Sequence, residues 1–242
     1  MLLFRSAIYV LLIVLTIGCA SSEKLDDNSG TPSRSQTQTE EHFEFINHDI
    51  FPSVGSLYNT ADMFVGSCVL VTPSVALTAG HCIELGNLKY ARFGNEEIII
   101  KLQLVHRNYE MGDDLGLLIL ETASTQKPMP IIADVDLIPD MFPLYTIAHG
   151  EGNKKISKNK VYHYYGVLQN KPNEIVFLPL KTSVWFGDSG GALVYKNGDD
   201  GYILIGIITH FSTIGEEIYE CAARRTDNFN IYDNIWHPWI TK

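Results

Sequence analysis

The chain has 242 residues, 45% of them hydrophobic and 19% charged, which is enough for one large unit or two small ones with sizeable cores. A formal net charge of −10 with no basic run to offset it excludes a protein built to grip nucleic-acid phosphates. The histidines and cysteines contain neither a His-Glu-x-x-His nor a Cys-x-x-Cys spacing, so no metal site is expected.

Residues 1–20 read as an export signal and not as part of the fold. The run Ala7 to Leu15 is apolar throughout and too short to span a bilayer comfortably. It ends in Thr16-Ile17-Gly18-Cys19-Ala20. A Gly-Cys pair in that place resembles a bacterial lipoprotein box, which would put a lipid on Cys19 and attach the chain to a membrane. Ordinary cleavage after Ala20, discarding Cys19, is the alternative. The expected destination is the outer membrane or cell surface in the first case, and the periplasm or medium in the second. Residues 21–42 are polar with no apolar periodicity and read as a tether or propeptide.

From Phe51 onward, short apolar runs alternate with Gly, Pro, Asn and Asp. The runs Cys68–Val71, Ile98–Ile100, Leu102–Val105, Leu115–Leu120, Ile175–Leu178, Ala192–Tyr195 and Tyr202–Thr209 have strand length and predict an all-β chain. Lys196–Gly201 predicts a hairpin loop. The segment from Tyr232 to Ile240 is the exception and reads as a short terminal helix despite Pro238.

Three segments carry candidate chemistry. Leu77-Thr78-Ala79-Gly80-His81-Cys82 sets a histidine just after strand-like residues. Asp113 and Asp114 open the buried-strand run at Leu115, where a carboxylate at the edge of a core can orient an imidazole. In Gly187-Asp188-Ser189-Gly190-Gly191, the glycines allow a carbonyl to approach the backbone closely, so Ser189 is a candidate nucleophile. Alone, that stretch also fits the elbow of the α/β-hydrolases, with His210 or His237 as base. The residues after Ser189 are strand-like, however, and that fold requires a helix there. A glycine-rich turn without chemistry is the plain structural reading.

Taken together, Leu-Thr-Ala-Gly-His-Cys at 77–82, Asp-Leu-Gly-Leu-Leu at 114–118 and Gly-Asp-Ser-Gly-Gly at 187–191 resemble the chymotrypsin/trypsin family of serine endopeptidases. The resemblance runs from about Phe45 to Ile240. The order His, Asp, Ser excludes the α/β-hydrolase arrangement, and the frame selects Asp114 over Asp113. It implies two packed six-stranded β-barrels and a short C-terminal helix, the N-terminal barrel over 43–130 and the C-terminal one over 131–242. The crossing would fall at Lys127–Pro130 or in the loop through Pro139 and Pro143. His81 would be general base and then general acid, Asp114 its orienter and Ser189 the nucleophile through an acyl-enzyme. The N–H groups of Gly187 and Ser189 would form the oxyanion hole. The implied protein is a monomer that acts on protein or peptide substrates without a cofactor.

The same resemblance implies finer features. Ser183 would floor the primary pocket, with Thr209, His210 and Phe211 along its wall. A neutral floor disfavours Lys or Arg. Phe211 in place of a glycine favours small side chains or a closed pocket, and His210 is either a wall residue or a partner for an acidic substrate group. Asp188 would receive the ammonium of a newly cut N-terminus. The nearest candidate, Ile46-Asn47, follows Phe45 and not Lys or Arg, so another enzyme makes the cut or Asp188 has an internal partner. Cys68 and Cys82 would form a bridge. Gly66 occupies the family's usual cysteine position, and Cys68 lies two residues, about 6–7 Å, further along the strand. Trp185 stands at the usual partner position of Cys221, which is therefore expected as a buried thiol. Glu216, Glu217 and Glu220 are expected in a solvated loop. A silent homologue that binds a partner through the cleft, and an esterase on the same triad, are the alternative functions.

Overall fold

The strand-length runs fold as antiparallel ladders in a computed structural model that describes residues 43–135, 138, 144–165, 174–178, 184–198, 201–214, 217–226 and 239–241. The export signal with Cys19, the polar segment 21–42, Pro139, Pro143, Ser183, Glu216 and the stretch 232–238 lie outside the described residues. In chain order the elements are β1 (Phe43–Phe45), β2 (Val54–Asn59), β3 (Phe64–Thr72), β4 (Val75–Thr78), helix α1 (Gly80–Gly86), β5 (Leu88–Phe93), β6 (Glu96–His106) and β7 (Gly116–Leu120). Then come β8 (Leu144–Ala148), β9 (Lys155–Tyr165), β10 (Glu174–Leu178), β11 (Ala192–Lys196), β12 (Tyr202–Ile214), β13 (Glu217–Arg225) and β14 (Trp239–Thr241).

Six strands in the order β6-β5-β2-β3-β4-β7 close on themselves, because β7 pairs back onto β6. A second set, β9-β10-β13-β12-β11-β8, closes through β8 on β9. Closure removes the unpaired edges that an open sheet would expose. The two terminal strands cross over. β1 adds to β9 of the second barrel, although the resemblance places residues 43–45 with the first, and β14 adds to β6 of the first.

The continuous apolar runs follow from burial on both faces. Cys68 and Leu70 of β3 point into the first barrel with Leu57, Phe93 and Leu118. Val69 and Val71 point the other way, into a cluster shared by both barrels with Leu77, Leu117, Ile147, Val194 and Ile207. A strand buried on both sides reads as an unbroken hydrophobic run and not as an alternating one. The second barrel encloses Phe177, Leu193, Ile205 and Ala223. Burying each such side chain is worth about 1.5–3 kcal/mol, so the shared cluster couples the stability of the barrels to their docking.

Three elements differ from the expectations of the sequence. Ile98–Ile100 and Leu102–Val105 are one strand, β6, whose register with β7 shifts between Ile100 and Leu102. Trp239 and Ile240 are extended and pair with His106 and Val105, so the helix expected at the C-terminus does not include them. The β6 edge satisfies their backbone groups, which an isolated short helix after a proline could not do as well. Glu217 and Glu220 belong to β13 and pair with Ile214 and Ser212, so they are not part of a loop.

Candidate active site

His81 and Asp114 meet because β4 and β7 are antiparallel neighbours, with Thr78 opposite Gly116. His81 lies three residues past the end of β4, in the first turn of α1, and Asp114 two residues before the start of β7. Asp114 Oδ2 is 2.7 Å from His81 Nδ1, and Oδ1 accepts the His81 backbone N–H at 2.8 Å. No side chain of α1 caps its first turn, so this carboxylate supplies an acceptor for an otherwise orphaned N–H while it fixes the ring. A Cβ on Gly80 would stand 2.8 Å from the Tyr109 ring and 3.1 Å from Asp114 Oδ1, which explains the glycine before the histidine.

Burial pulls the imidazolium of His81 down, but the hydrogen bond that its Nδ1–H donates to Asp114, with Cys82 adding to it, wins and pushes the ring up to about 10. Asp113 takes no part in this clamp. It lies 3.4 Å from His106 Nδ1 and 3.7 Å from Arg224 Nη1 on β13, so it links the first barrel to the second.

Ser189 sits in a turn pinned by two strands, β3 and β12, and closed by a bond of its own. Ser67 donates its N–H to Ser189 O at 2.8 Å and its Oγ–H to Gly187 O at 3.0 Å. Gly190 donates to Ile208 O, and Gly191 to Asp188 O, both at 2.8 Å. A Cβ on Gly190 would overlap Ser67 O and Thr78 Oγ1, and its φ of +84° already favours glycine. Gly187 has a φ of +90°. Among the described residues, the N–H groups of Gly187 and Ser189 donate to no protein acceptor, while those of Asp188, Gly190 and Gly191 all do. Ser189 Oγ donates to Thr209 O at 3.4 Å and makes no hydrogen bond to the His81 ring. The two groups share one neighbourhood, since Cys82, next to His81, puts its Sγ 3.8 Å from Ser189 O.

Asp188 is almost fully buried, and its cation is Lys155 on β9, with Nζ 2.7 Å from Oδ2. Trp185 N–H donates to the same oxygen at 2.7 Å. An internal partner is one of the two options open from the sequence, which does not identify the residue. The adjacent lysine serves the backbone instead, with Lys154 Nζ donating to the carbonyls of His48, Ile50 and Phe51 at 2.9–3.3 Å.

Thr209 is buried and donates through Oγ1 to Ala222 O at 3.2 Å. His210 Nε2 lies 3.2 Å from Glu174 Oε1, and Glu174 is buried, so the acid next to His210 belongs to the protein itself. Phe211 stacks on Trp185 at 5.6 Å between ring centroids and meets Phe186 edge-on at 5.4 Å. Trp185 and Phe186 are both exposed.

The disulfide expected between Cys68 and Cys82 is not formed; both are free, buried thiols. Cys68 points into the barrel among Leu57 and Leu70, where burial pushes its thiol up. The residue that faces Cys82 is Gly66, whose Cβ would lie 3.1 Å from Cys82 Sγ. The two-residue offset therefore moves the sulfur along the strand and out of reach. Cys221 is buried in the second barrel's core, as expected.

Two closed six-stranded barrels with a shared core, a histidine clamped by an aspartate and a serine in a glycine turn beside it define the double-barrel class of serine peptidases. Residues 44–240 match the Trypsin family, and the chain belongs to it. Among curated proteins, none matches this chain.

Proposed function

We propose that this protein is a serine endopeptidase that acts through an acyl-enzyme on Ser189. The observation that carries the reading is the two-point hold of Asp114 on His81, through ring and backbone, beside a turn with two unused N–H groups. With Nδ1 held by Asp114, the lone pair of the neutral ring is on Nε2. For the reaction, Ser189 Oγ leaves Thr209 O and donates to that nitrogen. His81 then takes the Oγ proton as Oγ attacks the substrate carbonyl carbon. The N–H groups of Gly187 and Ser189 receive the charge on the carbonyl oxygen. His81 passes the proton to the leaving amine, and a water molecule repeats the sequence in reverse to free Ser189.

The neutral Ser183 and the Thr209–His210–Phe211 wall favour an uncharged substrate side chain over Lys or Arg. His210 serves this wall with Glu174 as its partner and does not select for acid. The exported location, and a lipid on Cys19 as the membrane attachment, belong to the same proposal.

A fluorophosphonate probe tests the chemistry. The purified chain should label at Ser189, and Ser189→Ala should abolish both labelling and peptide hydrolysis, with a fall of several orders of magnitude. Absence of labelling would favour the binding homologue. Labelling with ester but no peptide turnover would favour the esterase.

A further inference from the structure

We infer that Lys155 is a positioning residue that holds the Gly187–Ser189 turn in its working shape through Asp188, so that the chain needs no cut to become active. The inference rests on the function proposed above. Asp188 lies between the two residues whose N–H groups are unused, so the direction of its side chain is coupled through the intervening peptides to where those groups point. Its carboxylate is 1% exposed, and a buried carboxylate holds its place only with a compensating cation. Lys155 provides that cation at 2.7 Å and is itself only 8% exposed in its side chain.

The surroundings are shaped for this pair. A Cβ on Gly150 would lie 2.7 Å from Asp188 Oδ1 and 2.9 Å from both Cε and Nζ of Lys155, so the absence of a side chain there makes room for the contact. Burial pushes the Asp188 carboxyl up from its ordinary value, against which Lys155 and the Trp185 N–H work. Removing Lys155 would leave no cation in contact with it among the described residues.

The chain around Ile46 is committed elsewhere. Its peptide N–H donates to Lys154 O at 3.0 Å, and Phe45 pairs with Lys155 in the β1–β9 ladder. An uncut chain therefore runs through Phe45–Ile46 as part of a sheet. The ammonium that would otherwise come from a new terminus is carried by a side chain of the neighbouring strand.

The test reads the mass of the labelled protein. The full chain is expressed with its own leader, purified, treated with the fluorophosphonate and analysed by intact mass spectrometry. Ser189 is expected to label in chains that still carry residues ahead of Phe43, and at the same rate as in any shorter form. Lys155→Ala should slow labelling by about 10²–10³-fold, the scale of losing an oxyanion donor, and lower kcat with little change in KM. Added propylammonium, which replaces the missing atoms and charge, should restore the rate, whereas propanol should not. Labelling confined to chains with a new N-terminus, or a Lys155→Ala protein that labels at the wild-type rate, would overturn the inference while leaving the proposed chemistry intact. No labelling of the wild-type chain in any form would overturn both. Should Lys155→Ala fail to fold, the mass of the labelled wild-type chain decides alone.

Discussion

Replacing Gly66 by cysteine should create the disulfide that Cys68 does not make. The ideal Cβ at position 66 is 3.1 Å from Cys82 Sγ, and the bond length and angles of a disulfide require a Cβ to the partner sulfur of about 3 Å. The new side chain therefore needs only to rotate its own sulfur into place. The bridge would span a loop of about 15 residues, for which chain entropy predicts about 3 kcal/mol of stabilisation. In a unit of this size, 1 kcal/mol moves Tm by about 2–4 °C, so the oxidised Gly66→Cys protein should melt about 6–12 °C above its reduced form. One contact opposes this: the same Cβ would lie 3.0 Å from Ser189 O, and the turn must give by a few tenths of an ångström. Thermal unfolding with and without reductant, combined with counting of alkylated thiols by mass, measures both halves of the prediction. Two alkylated thiols at positions 66 and 82 under oxidising conditions, or a Tm indifferent to reductant, would refute the geometric reasoning. The wild-type protein should show no such reductant effect, since Cys68 and Cys82 are both free.

Two further predictions concern pH. His81 acts as a base only when neutral, and its ring is raised to about 10, so the rate of Ser189 labelling should climb through the alkaline range and still be rising above the ordinary imidazole value of about 6.5. Asp114→Asn removes the main raising influence and leaves burial opposed only by Cys82, so the residual rate should level off at lower pH; a wild-type rate already flat at neutrality would contradict this. The second concerns stability. His149 is lowered to about 3, first by burial and then by Lys154, while its Nε2–H donates to Val54 O at 3.1 Å. The unfolded chain therefore binds a proton below about 6.5 that the folded chain refuses, and stability should fall by about 1.4 kcal/mol per pH unit as the medium is acidified toward 3. His149→Gln, which retains a donor for Val54 O, should reduce that slope by one proton in urea unfolding followed from pH 6.5 to 4. An unchanged slope would show that His149 titrates normally.

Local chemistry makes much of this protein readable from residues in a row. Apolar runs of strand length, bounded by turn formers, announce strands without reference to anything distant. Glycines at 187 and 190 announce a turn with backbone conformations other residues avoid. The Leu115 and Cys68 runs even carry the signature of strands buried on both faces, which the two cores on either side of β3 and β7 explain. Trp239 and Ile240 read as helix because a short amphipathic stretch has no local feature that separates a last turn of helix from a strand. The vacant edge of β6 makes them a strand, and β6 lies more than a hundred residues earlier in the chain.

The side chains available for chemistry and the stretches that are extended can be read from the residues in order, because those properties are local. Which side chains meet is set by the way the barrels close. That closure gives Asp188 to Lys155, Asp113 to Arg224 and His210 to Glu174, and it sets Gly66, not Cys68, against Cys82. Each of these contacts depends on barrel register, where a shift of two residues keeps a side chain on the same face yet carries it out of bonding range.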